Sequence, residues 1–370
     1  MRISGAALLV VALVLWTTES GTADAVPNQT IRVAIVKQAA TVVVDGVGLL
    51  AKRENGDALV VVPPVTLRPG GEGILLDGVG YRRLTFSAPG AVFINGKPYR
   101  GQSEISFGDR GILVVNELLL EEYLVGLINC EVSSSWPIES VKAQAVIART
   151  YALYRKELKK NAPFHLESSV LDQVYDGCLI EDSRAKRAVS ETAGEVLTYN
   201  RAIIQAFYHS NCGGKTETSE NVWGLRLPYL KGVTCEYCLG NSSSNWEQKL
   251  ELKDIEERLR AAGFKVSGVT DIRPGGRNNR GRLKNISVVS GRGTVTLAGD
   301  QFRKILGYGV IKSTNFSVRV SDGAAVFSGI GNGHGVGLCQ WGAKQRALNG
   351  FSYTEILSYY YPGTVLEKVL

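Results

Sequence analysis

The chain has 370 residues and a mass of 40.0 kDa, with 44% hydrophobic and 8% aromatic residues, enough apolar material for a packed core and too much for a disordered chain. Its 42 Lys and Arg against 35 Asp and Glu leave a formal +7, yet no basic run or aromatic-interleaved basic stripe appears, which sets nucleic acid aside as a partner. The 42 glycines follow no collagen period, so they mark tight turns or backbone that something approaches closely.

Met1-Arg2 precede an apolar run from Ala6 to Trp16, then polar residues and Ala23-Asp24-Ala25. This is the order of a secretory signal peptide, residues 1–25, and the run is shorter than the roughly 20 residues that span a bilayer. Its removal takes away Arg2, Glu19 and Asp24 and turns +7 into +8. An exported basic protein of the periplasm, cell wall or extracellular space is expected, with no transmembrane segment after cleavage and a preference for anionic polymers.

Residues 26–110 read as a β-rich module. Ile31–Val36, Thr41–Val44, Leu59–Val62, Arg83–Phe86 and Ala91–Ile94 are β-branched or apolar runs, and Asp45-Gly46, Asn55-Gly56, Asp77-Gly78 and Asn95-Gly96 punctuate them as hairpin dipeptides. From 111 to 370 the texture is mixed, which makes the chain α+β. Leu120, Tyr123, Leu124, Leu127 and Ile128 keep helical spacing. A longer helix starts at Pro137, with a small-residue face of Val141, Ala145, Ala148 and Ala152. Gly275 to Lys284 reads as a loop. A helix from about Gln340 stops at Gly350, and Ser352-Tyr353-Thr354-Glu355 is a capping box that opens a last helix before Pro362.

Three places carry chemistry. Glu131 lies between the two helices; a helix C-terminus before it and apolar Val132 and Trp136 beside it raise the pKa of a carboxyl, while the next helix N-terminus pulls it down. His334 sits among the alternating glycines 329–337, where missing side chains let a ligand or another backbone lie on the strand. His209-x-x-Cys212 and Cys235-x-x-Cys238 have the spacing of a closed tetrahedral zinc site, whereas export favours disulfides among the same cysteines.

Glu122-Tyr123-Leu124-Val125-Gly126, Cys130-Glu131-Val132, Ser134-Ser135-Trp136-Pro137, Lys142-Ala143-Gln144-Ala145-Val146 and Ala148-Arg149-Thr150-Tyr151 resemble the stage II sporulation protein D/LytB family, the SpoIID domain. Gln173-Val174-Tyr175-Asp176-Gly177, Tyr208-His209-Ser210, Gly213-Gly214-Lys215-Thr216, Val222-Trp223-Gly224, Pro228-Tyr229-Leu230, Gly333-His334-Gly335-Val336-Gly337, Gln340-Trp341-Gly342 and Tyr360-Tyr361-Pro362-Gly363-Thr364 follow in the family's order. The resemblance implies a peptidoglycan lytic transglycosylase acting on glycan strands stripped of stem peptides, with Glu131 as the acid. It also implies a structural zinc ion in some members and, as the alternative, a non-catalytic enhancer of a cell-wall amidase. His334, Gln340 and Trp341 would contact substrate, and Tyr175, Tyr229, Trp223 and Trp341 would offer sugar-stacking faces. Cys130 and Cys339 stand where the family has small residues, which suggests a disulfide between the glutamate turn and the glycine-rich loop. Cys178 is then left over, with His165 as a possible metal partner.

Overall fold

The computed structural model describes residues 29–71, 73–240 and 244–369; the expected signal peptide lies outside the described residues. The fold is α+β. A seven-stranded sheet runs, in spatial order, through Leu166–Glu167, Thr30–Ala39, Gly111–Leu119, Gln102–Gly108, Arg83–Ser87, Leu50–Arg53 and Ala58–Leu59. Six strands between Val42 and Tyr99 form a second sheet. Alternation decides which faces meet: Ile31 and Val33, Val42 and Val44, Leu84 and Phe86, and Ile112 and Val114 are all buried in one core. Two of the expected hairpins turn on both central residues with positive φ, at Asp77-Gly78 (51° and 79°) and Asn95-Gly96 (50° and 80°). This is the geometry that matches strand twist.

The strand Gly111–Leu119 runs directly into helix α1, Leu120–Glu131, so the β module and the helices share that core. The periodic residues Leu120, Tyr123, Leu124, Leu127 and Ile128 are all buried. Helix α2, Ile138–Leu158, follows Pro137, and its Val141, Ala145, Ala148 and Ala152 are fully buried. Fully buried Arg149 fixes α2 to α1 through two 2.7 Å bonds to the Glu121 carboxylate, and also donates to the carbonyls of Val189 and Glu195. A buried guanidinium survives because every side of it meets an acceptor.

Residues 244–330 form an insert of two three-stranded sheets and the helices Leu252–Ala261 and Gly299–Leu306. It has its own core around Ile255, Leu259, Ile286, Phe302 and Phe327. The chain then returns: Leu338–Cys339 pairs in parallel with Tyr208–His209, and the helix Gln340–Leu348 follows at once. The Ser352–Glu355 capping box opens the last helix, Tyr353–Tyr360. No helix among the described residues is long and apolar enough to cross a membrane.

Candidate active site and cysteine centre

Glu131 is the last residue of α1. Part of the residue is exposed, but its carboxyl turns inward. One oxygen accepts the Val174 amide at 3.1 Å, and Tyr208 and Gln340 also donate to it. Behind these donors stands a relay. Tyr123 donates to Gln173 at 3.1 Å, Gln173 to the Tyr208 hydroxyl at 3.1 Å, and Gln340 to Gln144 at 3.3 Å. Burial pushes the Glu131 pKa up to about 7, against three hydrogen bonds that favour the ionised form. The competition foreseen from the sequence is thus won by desolvation. Every named donor is neutral, and no second carboxylate shares this network among the described residues.

Because the Tyr208 hydroxyl accepts from Gln173, its own proton is free for Glu131. Tyr208→Phe removes a donor to the carboxylate, so the pH at which Glu131 ionises should move upward by about one unit, read from the carboxyl bands in difference infrared spectra of wild type and variant. An unchanged midpoint would contradict this hydrogen bond.

Partly exposed Trp136 and Trp341 flank the glutamate turn with ring centres 5.1 Å apart. Lys344 lies over both rings, at 4.9 and 4.6 Å. This is an aromatic face with a cation beside it. Trp223, 40% exposed, stacks on Phe207 at 4.4 Å and packs on His334 at 5.1 Å.

Other expected contacts fall elsewhere. Tyr175 is buried against Tyr99 and Tyr123, and its hydroxyl donates to Asn116. Tyr229 is buried beside Tyr199 and accepts the Gln205 amide. Neither presents a face to sugar; both were drawn into the core by the area they bury. Gln340 is buried, and it holds Glu131 rather than substrate. His334 Nδ1 accepts the Val336 amide at 3.1 Å, its other nitrogen meets the Tyr208 backbone, and burial keeps the ring neutral. The glycines around it make room for protein: a Cβ at Gly333 would lie 2.6 Å from that of His209, and one at Gly335 2.5 Å from the Arg282 guanidinium. Both have positive φ, 111° and 87°.

The metal set is also redrawn. Sγ atoms of buried Cys212, Cys235, Cys238 and Cys339 all lie within 4.8 Å of one another. His209 is not among them; its Nδ1 bonds the Val336 carbonyl at 3.1 Å. The parallel pairing of His209 with Cys339 brings the latter's sulfur into the fourth place. The expected Cys130–Cys339 disulfide is absent: Cys130 is half-buried on α1 with its thiol toward the Gly126 carbonyl. The glutamate turn is tied to the glycine-rich loop instead by Gln340. His165 is not aligned with Cys178; its Nδ1 accepts the Arg32 amide.

The four cysteines fit a metal ion. Tetrahedral zinc with sulfur at 2.3 Å needs sulfurs roughly 3.8 Å apart, and backbone amides of Cys212 and Gly342 reach Cys339, as that of Gly214 reaches Cys238, at 3.3–3.4 Å. Burial and the three neighbouring sulfurs hold the Cys339 thiol well above its ordinary value. A bound cation would reverse that. Local sequence pattern does not reveal the roles of Tyr208, Gln173, Gln144 and Cys339. The available signal was the alternation of Tyr208 and His209 along one strand, which sends their side chains to opposite sides.

The Stage II sporulation protein family profile matches residues 108–199, and a profile for a domain of unknown function, DUF8618, matches residues 240–337. An uncharacterized protein of Brachyspira hyodysenteriae is 31% identical over 85% of this chain and 83% of its own length. The amidase enhancer of Bacillus subtilis is 31% identical over 66% of this chain, which spans only 40% of that protein. Stage II sporulation protein D of Bacillus subtilis is 29% identical over 69% of this chain and 76% of its own length.

Proposed function

Since the chain belongs to the stage II sporulation protein D/LytB family and its role is therefore related to the cell wall, we propose that it is an exported lytic transglycosylase that cleaves peptidoglycan glycan strands with Glu131 as its single acid and base. The observation that carries this reading is a buried carboxyl with a pKa near 7, ringed by neutral donors at the edge of an aromatic face. Ordinary glycosidases need two carboxylates because water or an enzyme nucleophile must attack. One suffices when the attacking group is the sugar's own C6 hydroxyl, already held next to C1.

Glu131 gives its proton to the glycosidic oxygen as the C1–O bond breaks and the leaving sugar departs. The resulting carboxylate is held by Val174, Tyr208 and Gln340. The C6 hydroxyl then bonds to C1, its proton returns to Glu131, and the product is a 1,6-anhydro ring with no water consumed. An acid that must become a base within one turnover works best with a pKa near ambient pH. Trp136 and Trp341 would stack against sugar faces.

Cys212, Cys235, Cys238 and Cys339 would hold a structural zinc ion, whose four sulfur ligands leave no open position for catalysis. When bound it cross-links the segments that carry these cysteines.

The test is digestion of glycan strands, stripped and unstripped of stem peptides, followed by mass spectrometry. Products one water lighter than the hydrolytic ends are expected. Hydrolytic ends overturn the mechanism, and binding to sacculi with no new ends favours the second reading, a non-catalytic enhancer of a cell-wall amidase like the relative of that name.

A further inference from the structure

The positive charge of this chain is not spread along it. Residues 244–330 hold 15 Lys and Arg against 8 Asp and Glu, a formal +7, while the rest of the chain is balanced at 27 of each. The insert with its own core is therefore the basic part of the molecule.

One face of that insert is open. In the sheet of Asn245–Glu251, Ala324–Ile330 and Phe316–Ser321, cross-strand pairing places Trp246, Gly329 and Phe316 in one row, and the first and last of these side chains are buried. The rows beside it present their side chains to the other face. Glu247, Ser328 and Ser317 form one such row, and Lys249, Val326 and Arg319 the next. Here lies an open groove of about 610 Å³ lined by Asn245, Glu247, Asn315, Ser317, Ser328 and Ile330, with Arg277 at its rim. Exposed Arg277 is fixed by neutral acceptors, the carbonyls of Gly281 and Phe316 at 2.5 and 2.6 Å and Asn315 at 3.4 Å, and its charge has no carboxylate partner among the described residues. Arg319 is exposed and makes no ion pair among the described residues. Ser328 already donates to Glu247. At its upper end the groove reaches Ile330, and the next residues are the glycine-rich loop that leads to Cys339 and Gln340.

We propose that this groove is an accessory binding site for the glycan strand itself, in which Arg277 at the rim pairs with a lactyl carboxylate, Arg319 on the same sheet face beyond the groove takes a further one, and the amide and hydroxyl side chains take sugar hydroxyls. The proposal rests on the functional reading above for the identity of the polymer. Charge complementarity selects a carboxylate-bearing strand over a neutral one. The chain runs on from Ile330 into the loop that leads to Gln340, a donor to Glu131. A fixed guanidinium without a carboxylate offers a planar fork for an external one.

The experiment uses the full chain and insoluble glycan strands stripped of stem peptides, in sedimentation assays over a range of salt. Wild-type binding should weaken as salt rises. R277A/R319A should bind about tenfold more weakly with a shallower salt dependence, and wild type should lose a similar factor on strands whose lactyl carboxyls have been reduced to alcohols. Thermal melts of the variant check that it is folded. Equal binding by wild type and variant, or undiminished wild-type binding to the reduced strands, overturns the proposal. So does a variant that keeps its hold on glycan but loses retention of another anionic wall polymer or of a protein. Anhydro ends are measured on the same wild-type samples. Charge-dependent binding without such ends would leave the groove standing and remove the transglycosylase reading, so the two failures are told apart.

Discussion

Glu131→Gln should fold, sit in the same ring of donors and form anhydro ends at least about 10³-fold more slowly than wild type, because the amide can neither give the proton to the glycosidic oxygen nor take one from the C6 hydroxyl. Undiminished product would sink the mechanism. The same substitution has a second readout that needs no substrate. An unfolded glutamate loses its proton near 4.5, whereas folded Glu131 keeps it to about 7. Between those values the folded protein binds more protons than the unfolded chain, so this group's contribution to stability is fully present below 4.5 and is lost as pH rises through 7. The loss is on the order of 3 kcal/mol. The Gln variant has no such loss, so thermal melts at pH 5 and pH 8 should show its advantage over wild type growing with pH. Activity should follow one ionisation, high below about 7 and falling above it.

What the sequence revealed was whatever local physics decides. The spacing from Leu120 to Ile128 and the small face of α2 became buried helix faces, and Asp77-Gly78 and Asn95-Gly96 became positive-φ turns, because period and backbone freedom act over a few residues. Glu131 was legible as a carboxyl under two opposing helix ends. The relay through Tyr208, Gln173 and Gln144 was not, since its members lie 29 or more residues apart from one another and meet only through tertiary packing. Tyr175 and Tyr229 show the commoner fate of a motif aromatic, burial, and their hydroxyls found partners inside. The alternating glycines allow a ligand or another backbone to lie close, and it is protein that does so: His209 at Gly333, Arg282 at Gly335, and the backbone carbonyls of Asn211 and Phe207 at Gly331 and Gly337. The charge was visible as a total. Its concentration in the insert became meaningful once residues 244–330 proved to have a core of their own.

Cys339 is the position where a second large effect is expected, and where the cysteine centre and the Glu131 network touch. Its sulfur joins those of Cys212, Cys235 and Cys238, and the next residue, Gln340, donates to Glu131. If the four hold zinc, the protein as purified should carry about one zinc per chain, displaced by mercurials or strong chelators. The cross-link ties residues 212, 235–238 and 339, which are distant in sequence. Losing it should therefore cost several kcal/mol and lower the melting temperature by about 10 °C. Cys339→Ser should show the same fall and lose the metal, while Cys130→Ser, outside the cluster, should keep both metal and melting temperature. Release of the cluster also frees Gln340. Glu131 then loses one of the donors that favour its ionised form, so the alkaline limb of activity should move upward with zinc removal, in the same direction as for Tyr208→Phe. The expectation fails if the folded, metal-free protein has four alkylatable thiols and an unchanged melt. Melting temperature and metal content that fall together, with a shifted limb, would join the cysteine centre to the Glu131 carboxyl through one peptide unit.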